Sequence, residues 1–331
     1  MEAVLQWGLD FIRAVQVIAS PPLTVVIKII TNLGGSAVYF ILLPLMFWCI
    51  DEKKGFRLGI MVLLSVWINM SLKYLLDQPR PFFPGYDPSL GMMAENFGGL
   101  PSGHAQNSLV IYFLLASFIN KKWSYICAGI LCLLIGFSRI YLGVHFPTDV
   151  LAGWLIGGIM LSVYFLLGRK IESLIQKGSE YITQKRNSAS NDRKTGGSIY
   201  LKMIVCALVS FFMILYQPDS NVLMLSGVFF GFCAGYILNV RCIGFRSRDV
   251  LIKPGVYLFF TLFLRIVIGT AGVGLIVFLT NLIIPEESAN LKLYQFLQAG
   301  LGGLWISFAA PWIFVRFNLA PARLESDVPE K

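Results

Sequence analysis

Charge is scarce in this chain and histidine is nearly absent. Of 331 residues only 14% are Asp, Glu, Lys or Arg, against roughly 25% in soluble domains. There are 2 histidines, His104 and His145. With 56% hydrophobic residues and a mean hydropathy of +0.70, the apolar side chains exceed what one water-soluble core can hide. That excludes a soluble globule and leaves a polytopic membrane protein. The apolar runs are continuous rather than alternating. Spanning barrel strands are therefore not expected, and helices, which pair every backbone group internally, are. The 6 cysteines scatter, five in apolar spans and Cys242 in a basic loop. Neither a zinc spacing nor a disulfide framework is visible. Glu2 and Asp10 come early, unlike the basic start of a cleaved signal peptide, so none is expected.

Apolar runs lie at roughly 35–50, 55–76, 102–119, 123–141, 148–168, 199–216, 222–239, 256–281 and 295–315, most near the roughly 20 residues that cross a bilayer. The fold class expected is all-α, a polytopic helical membrane protein. The division expected is an N-terminal pair of amphipathic helices over 1–34, a transmembrane core over 35–168 and a basic cytoplasmic linker over 169–198. About four further transmembrane helices over 199–316 and a tail over 317–331 complete it. The N-terminal pair is expected in the outer interface, broken by Pro21-Pro22; an additional span is the alternative.

The net charge of +9 reads as topology rather than nucleic-acid binding. If the runs alternate across the membrane, one set of loops collects Lys53, Lys54, Arg57, Lys121, Lys122, the seven Lys/Arg from Arg169 to Lys194, Arg241, Arg246, Arg248, Lys253, Arg316 and Arg323. The other holds Arg80 and Lys292, with Lys73 and Arg139 near span ends. The excess of positive charge assigns the first set to the cytoplasm. The loops 77–101 and 142–147 then face outward.

Those outward segments gather the polar residues: "KYLLDQPRP" with Lys73 and Arg80-Pro81, "PSGH" from Pro101 to His104, and "SRIYLGVHFPTD" from Ser138 to Asp149. Lys73, Arg80 and Arg139 are three cations at one membrane face, repelling one another unless an anion joins them. Two guanidinium forks and an ammonium suit a tetrahedral phosphate. Ser102-Gly103 at a helix start add free N–H groups and a favourable dipole. His145 and Asp149 lie four apart beside Pro147, a favoured first helical residue. The carboxylate can fix one ring nitrogen and leave the other as nucleophile or base, while His104 protonates a leaving oxygen. Asp77, Asp87 and Glu95 read as loop caps or solvated carboxylates, and no metal pattern is visible. The Pro- and Gly-rich loop 77–101 reads as a shaped lid. Its Phe82, Phe83, Tyr86, Met92, Met93 and Phe97 are expected at the membrane interface.

The three segments together resemble the type 2 phosphatidic acid phosphatase (PAP2) superfamily, whose signature is K-x6-RP, PSGH and SR-x5-H-x3-D. Lys73, Arg80 and Pro81, then Pro101 to His104, then Ser138, Arg139, His145 and Asp149 all fit it. The resemblance covers about residues 1–168. It implies a lipid phosphomonoester or pyrophosphate as substrate, taken from the bilayer and hydrolysed on the extracytoplasmic side of the membrane. It implies His145 as nucleophile oriented by Asp149, His104 as general acid, and Lys73, Arg80, Ser102, Gly103 and Arg139 on the phosphate, with no cofactor and no metal. Extra C-terminal spans after such a core are similar in arrangement to sphingosine-1-phosphate phosphatases. Undecaprenyl diphosphate hydrolysis, or transfer of phosphate to a lipid acceptor, uses the same groups and stays open. Vanadium haloperoxidases share the three motifs but are soluble. A lipid transporter is the reading from another class; it leaves two histidines, an aspartate and three cations without a task.

Two features of the back half stand apart. Gly227, Gly231 and Gly235 lie four apart on one helix face, which suits packing within the subunit or a homodimer interface. Arg265 lies deep in an apolar run, where it is costly unless paired or snorkelling; a lipid headgroup route is the alternative.

Overall fold

The computed structural model describes residues 2–95, 98–187, 196–216, 219–248, 256–283 and 291–320. Phe97, Lys253, Arg323, linker residues 188–195 and the tail past 320 lie outside these. The regular elements among the described residues are helices: α1 Glu2–Gln16, α2 Pro21–Asn32, α3 Ser36–Pro44 with a π-helical turn Leu45–Ile50, α4 Glu52–Leu76, a 3-10 turn Pro88–Leu90, α5 Gly103–Ile119, α6 Lys122–Tyr141, α7 Pro147–Asn187, α8 Gly196–Tyr216, α9 Ser220–Cys242, α10 Val256–Ile283, α11 Leu291–Leu304 with a π-helical turn Trp305–Ala309, and α12 Ala310–Arg316.

Seven of these helices, counting α11 through α12 as one, are long and apolar enough to cross a membrane. The pair α2 and α3, bent by 46°, would be an eighth. α5, at 17 residues, sits at the low end of spanning length. Every apolar run read from the sequence is thus a helix or helix pair, and the protein is an integral multi-pass membrane protein. The basic stretch after 168 continues as helix to Asn187. At 1.5 Å per residue α7 is about 60 Å long, twice the hydrocarbon thickness.

The chain forms two compact units, Met1–Ile41 with Leu58–Leu166, and Leu42–Arg57 with Leu167–Lys331. In the second, the glycine stripe closes against the chain's own α11. A Cβ on Gly231 would lie 1.9 Å from the Gly300 carbonyl oxygen, on Gly227 2.3 Å from that of Phe296, and on Gly235 2.2 Å from Ser307 Oγ. This corrects the homodimer reading, because the face is already used in cis. Pro311 has no N–H, so the Ser307 carbonyl four residues back loses its helical donor; Asn239 Nδ2 donates to it at 3.0 Å.

Arg265 neither snorkels nor meets solvent; it is fully buried. Its NH1 donates to Trp48 O at 2.6 Å, and its NH2 and Nε to Leu319 O at 2.7 and 3.1 Å. The Trp48 carbonyl stands in the last turn before a helix end, where acceptors lack partners and the dipole is negative; the Leu319 carbonyl lies in the turn that follows α12. Phe245 and Phe314 flank the guanidinium, their ring centres 5.2 and 5.9 Å away.

Candidate active site

The spacing of "SRIYLGVHFPTD" is the end of one helix and the start of the next. α6 closes in a Schellman turn. Gly143, at φ +66, donates to Ile140 O at 2.9 Å, and Val144 donates to Arg139 O at 3.2 Å. The Arg139 side chain leaves the last turn of α6, and His145 follows the turn directly. α7 then begins at Pro147. Asp149, third in that helix, reaches back so that Oδ2 accepts from Phe146 N at 3.0 Å, half of a capping box. The same oxygen lies 3.1 Å from His145 Nδ1. Gln78 Nε2 donates to Asp149 Oδ1 at 2.9 Å. The carboxylate is fully buried and His145 nearly so.

His145 Nε2 lies 3.2 Å from Arg80 NH1. A guanidinium only donates, so Nε2 is the acceptor and the ring proton sits on Nδ1, facing Asp149. Burial pushes the His145 pKa well below its ordinary value, and the positive charges of Arg80, Arg139, Lys73 and His104 push the same way. The imidazole is neutral. Arg80, which also donates to Val144 O at 2.8 Å, is pushed by burial down to about 10 and keeps its charge.

"PSGH" opens α5. Ser102 occupies the cap position without making the cap bond, and its buried Oγ has no hydrogen-bond partner. Its N–H donates to Asp149 O at 2.9 Å, tying α5 to α7. Gly103 has a packing reason too: a Cβ there would lie 3.0 Å from Asn69 Oδ1. Asn69 Nδ2 donates to Pro101 O at 3.3 Å and to Gln106 Oε1 at 3.0 Å. Gln106 in turn donates to Ser65 O at 2.9 Å. This buried network between α4 and α5 fixes the loop entry. Ser138 is turned away, its Oγ donating to Ile135 O at 2.6 Å.

The three expected cations do not stand open. Arg139, fully buried, donates to Glu95 and to Thr31 Oγ1 at 2.9 Å; its Nε has no partner. Arg80 NH2 lies 3.4 Å from Glu95 Oε2. Lys73 donates to Gly98 O and, at 3.1 Å, to Gly99 O. Glu95 is therefore not a solvated loop carboxylate, which corrects the sequence reading. Asp87 is a cap as expected: it accepts from Ser89 N at 3.2 Å and pairs with Arg13 at 2.9 Å. Phe82, Met92 and Met93 pack on Ile27, Tyr141, Leu142 and Val144, and Tyr86 on Leu9, Ile12, Leu90 and Phe146. These side chains are half-buried and pack against the protein.

His104 faces the α2–α3 turn, where a Cβ on Gly35 would lie 3.5 Å from its Nε2. Thr31 and Gly35 bring the N-terminal helices to the site. No motif marks them, nor Glu95. Gln106 and Asn107, polar inside an apolar run, are the one sequence signal of the network. Among the described residues no three His, Cys, Asp or Glu side chains group as metal ligands. Two orphaned polar atoms, Ser102 Oγ and Arg139 Nε, mark a place for hydrogen-bonding oxygens beside a histidine–aspartate pair.

Residues 54–172 match the PAP2 superfamily and residues 223–322 the PAP2 superfamily phosphatase transmembrane extension. Phosphatidylglycerophosphatase B of Bacillus subtilis is 32% identical over 181 residues, 50% of this chain and 85% of that protein. Sphingosine-1-phosphate phosphatase 1 of Rattus norvegicus is 28% identical over 152 residues, 44% of this chain and 35% of its own length. The crystal structure of a transmembrane PAP2-type phosphatidylglycerolphosphate phosphatase from Bacillus subtilis aligns with a TM-score of 0.46 at 29% identity, over 52% of this chain and 89% of that one.

Proposed function

The chain belongs to the PAP2 superfamily as a membrane lipid phosphate phosphatase, a phosphoric monoester hydrolase, and on that premise we propose that it hydrolyses a lipid phosphomonoester through a phosphohistidine on His145. The observation that carries this is the 3.1 Å pairing of His145 Nδ1 with Asp149, which leaves Nε2 as the only ring nitrogen with a lone pair.

When the phosphate arrives, Arg80 exchanges Nε2 for a phosphate oxygen. Nε2 attacks phosphorus and the bond to the lipid oxygen breaks. His104 gives that oxygen a proton. Asp149 stabilises the charge that develops on the His145 ring. Arg80, Arg139, Lys73, Ser102 Oγ and the Gly103 N–H meet the equatorial oxygens. Water, losing its proton to His104, then attacks phosphorus; the P–N bond breaks and inorganic phosphate leaves. Guanidinium and ammonium groups supply the charge stabilisation, so the step needs no metal. The charge distribution supports an extracytoplasmic site.

For the substrate, the names of the two relatives support a glycerophospholipid phosphomonoester or a long-chain-base phosphate. The test is phosphate release by purified protein in detergent, with EDTA present, from a panel of both classes. Release that is lost in His145→Ala supports the reading. Release that EDTA abolishes, or that survives His145→Ala, overturns it.

A further inference from the structure

Glu95 is the anion that the site already holds. Its two carboxylate oxygens face two guanidinium groups, Oε1 toward Arg139 and Oε2 toward Arg80 at 3.4 Å. The two arginine side chains are 0% and 3% exposed, whereas Glu95 is 21% exposed. One side of the pair is sealed and the other has a way out. Glu95 lies outside any helix, so turning its carboxylate away breaks no helical ladder. The segment is pinned on either side of it, by Met92 N donating to Leu142 O at 3.0 Å and by the Lys73 bonds to Gly98 O and Gly99 O.

Arg80 and Arg139 each turn an NH2 group to Glu95. A dianionic phosphate set beside that carboxylate would meet its negative charge in a largely buried place. Repulsion between buried like charges is costly, so the geometry favours exchange over addition.

We propose that Glu95 is a built-in competitor of the phosphate: it occupies the Arg80–Arg139 pair until a lipid phosphate displaces it, and it returns as inorganic phosphate leaves. This rests on the reading of that pair as the phosphate grip. A phosphate that carries a lipid tail brings apolar binding energy to the exchange; free orthophosphate brings none. Glu95 therefore makes the site select lipid-bound phosphate over its own product.

The test uses the full chain in detergent, with inorganic phosphate as the probe. Thermal unfolding against phosphate concentration gives affinity without activity, and steady-state kinetics give the inhibition constant for phosphate. In Glu95→Gln, phosphate affinity rises about tenfold or more, an exchange worth about 1.4 kcal/mol. KM for the lipid falls, and kcat falls with it because product leaves slowly. Glu95→Asp, whose shorter stem reaches one arginine less well, gives a smaller gain in the same direction and decides the matter if Glu95→Gln does not fold. Unchanged or weaker phosphate binding with a raised KM overturns the proposal and makes Glu95 a support for the arginines. If wild type and both variants show no response to phosphate at any concentration, the phosphate grip itself falls and the competitor with it.

Discussion

A Cβ on Gly143 would lie 2.0 Å from the carbonyl oxygen of Leu90. The backbone there is also left-handed, at φ +66, where residues other than glycine are strained. Gly143 is the hinge of the turn between Arg139 and His145, so both penalties fall on the placement of the proposed nucleophile. Gly143→Ala is expected to lower kcat/KM by at least about tenfold, as a displacement of an ångström at a reacting atom does. It also lowers the unfolding midpoint. A variant with wild-type kinetics would show that the turn does not position His145.

Asp149 serves two partners with one oxygen, the N–H of Phe146 and the ring of His145. Asp149→Asn keeps the shape but turns an acceptor into an amide that can present a donor to Nδ1. That favours the wrong tautomer, with the proton on Nε2. kcat is expected to fall by roughly 10^2 to 10^4, the range for a lost orienting carboxylate. His145→Ala removes the phosphoenzyme altogether. Acid-labile phosphate on protein quenched during turnover should be found in wild type and be absent in His145→Ala. Equal labelling of both would place the nucleophile elsewhere.

The proposed nucleophile and its partner were legible because their spacing is local geometry. Five residues from Arg139 to His145 are a helix end and a Schellman turn, and three more to Asp149 are the first turn of the next helix. Glu95 was not legible. A glutamate among prolines and glycines has no period to betray it, and its partners lie 15 and 44 residues away. Thr31 meets Arg139 across 108 residues, and nothing near it in sequence suggests so. The glycine stripe was visible as a face, but spacing cannot say whose helix covers that face. Arg265 was visible as an anomaly; its partners are backbone carbonyls, which every residue has.

The neutral state of His145 has a pH signature. Burial, aided by Arg80, Arg139, Lys73 and His104, holds its folded-state pKa well below the ordinary value, which is about 6.5 in the unfolded chain. Below about pH 6.5 the unfolded chain binds a proton that the folded site refuses, so this contribution to stability is present above that pH and is lost as pH falls. Between pH 8 and pH 5 the unfolding midpoint should drop, and the drop should be smaller in His145→Asn. The same depression keeps Nε2 unprotonated in acid, so the acid limb of kcat/KM set by His145 lies below 6.5. A limb at the ordinary imidazole value, with no difference in slope between wild type and variant, would show that the ring is not held neutral.

Arg265 separates stability from chemistry. Its guanidinium joins Trp48 O to Leu319 O and is fully buried. Arg265→Met leaves both carbonyls without their donor, at a cost of roughly 1–3 kcal/mol each, and the unfolding midpoint in detergent falls accordingly. Arg265→Lys keeps the charge but not the fork, so its single ammonium serves two separated carbonyls poorly and recovers part of the loss. Lys73, Arg80, His104, Arg139, His145 and Asp149 all belong to the other compact unit. KM and kcat of the protein that stays folded at low temperature are therefore expected to match wild type in both variants. A raised KM with an unchanged unfolding midpoint would mean the opposite, that Arg265 meets the lipid headgroup on its way to the site.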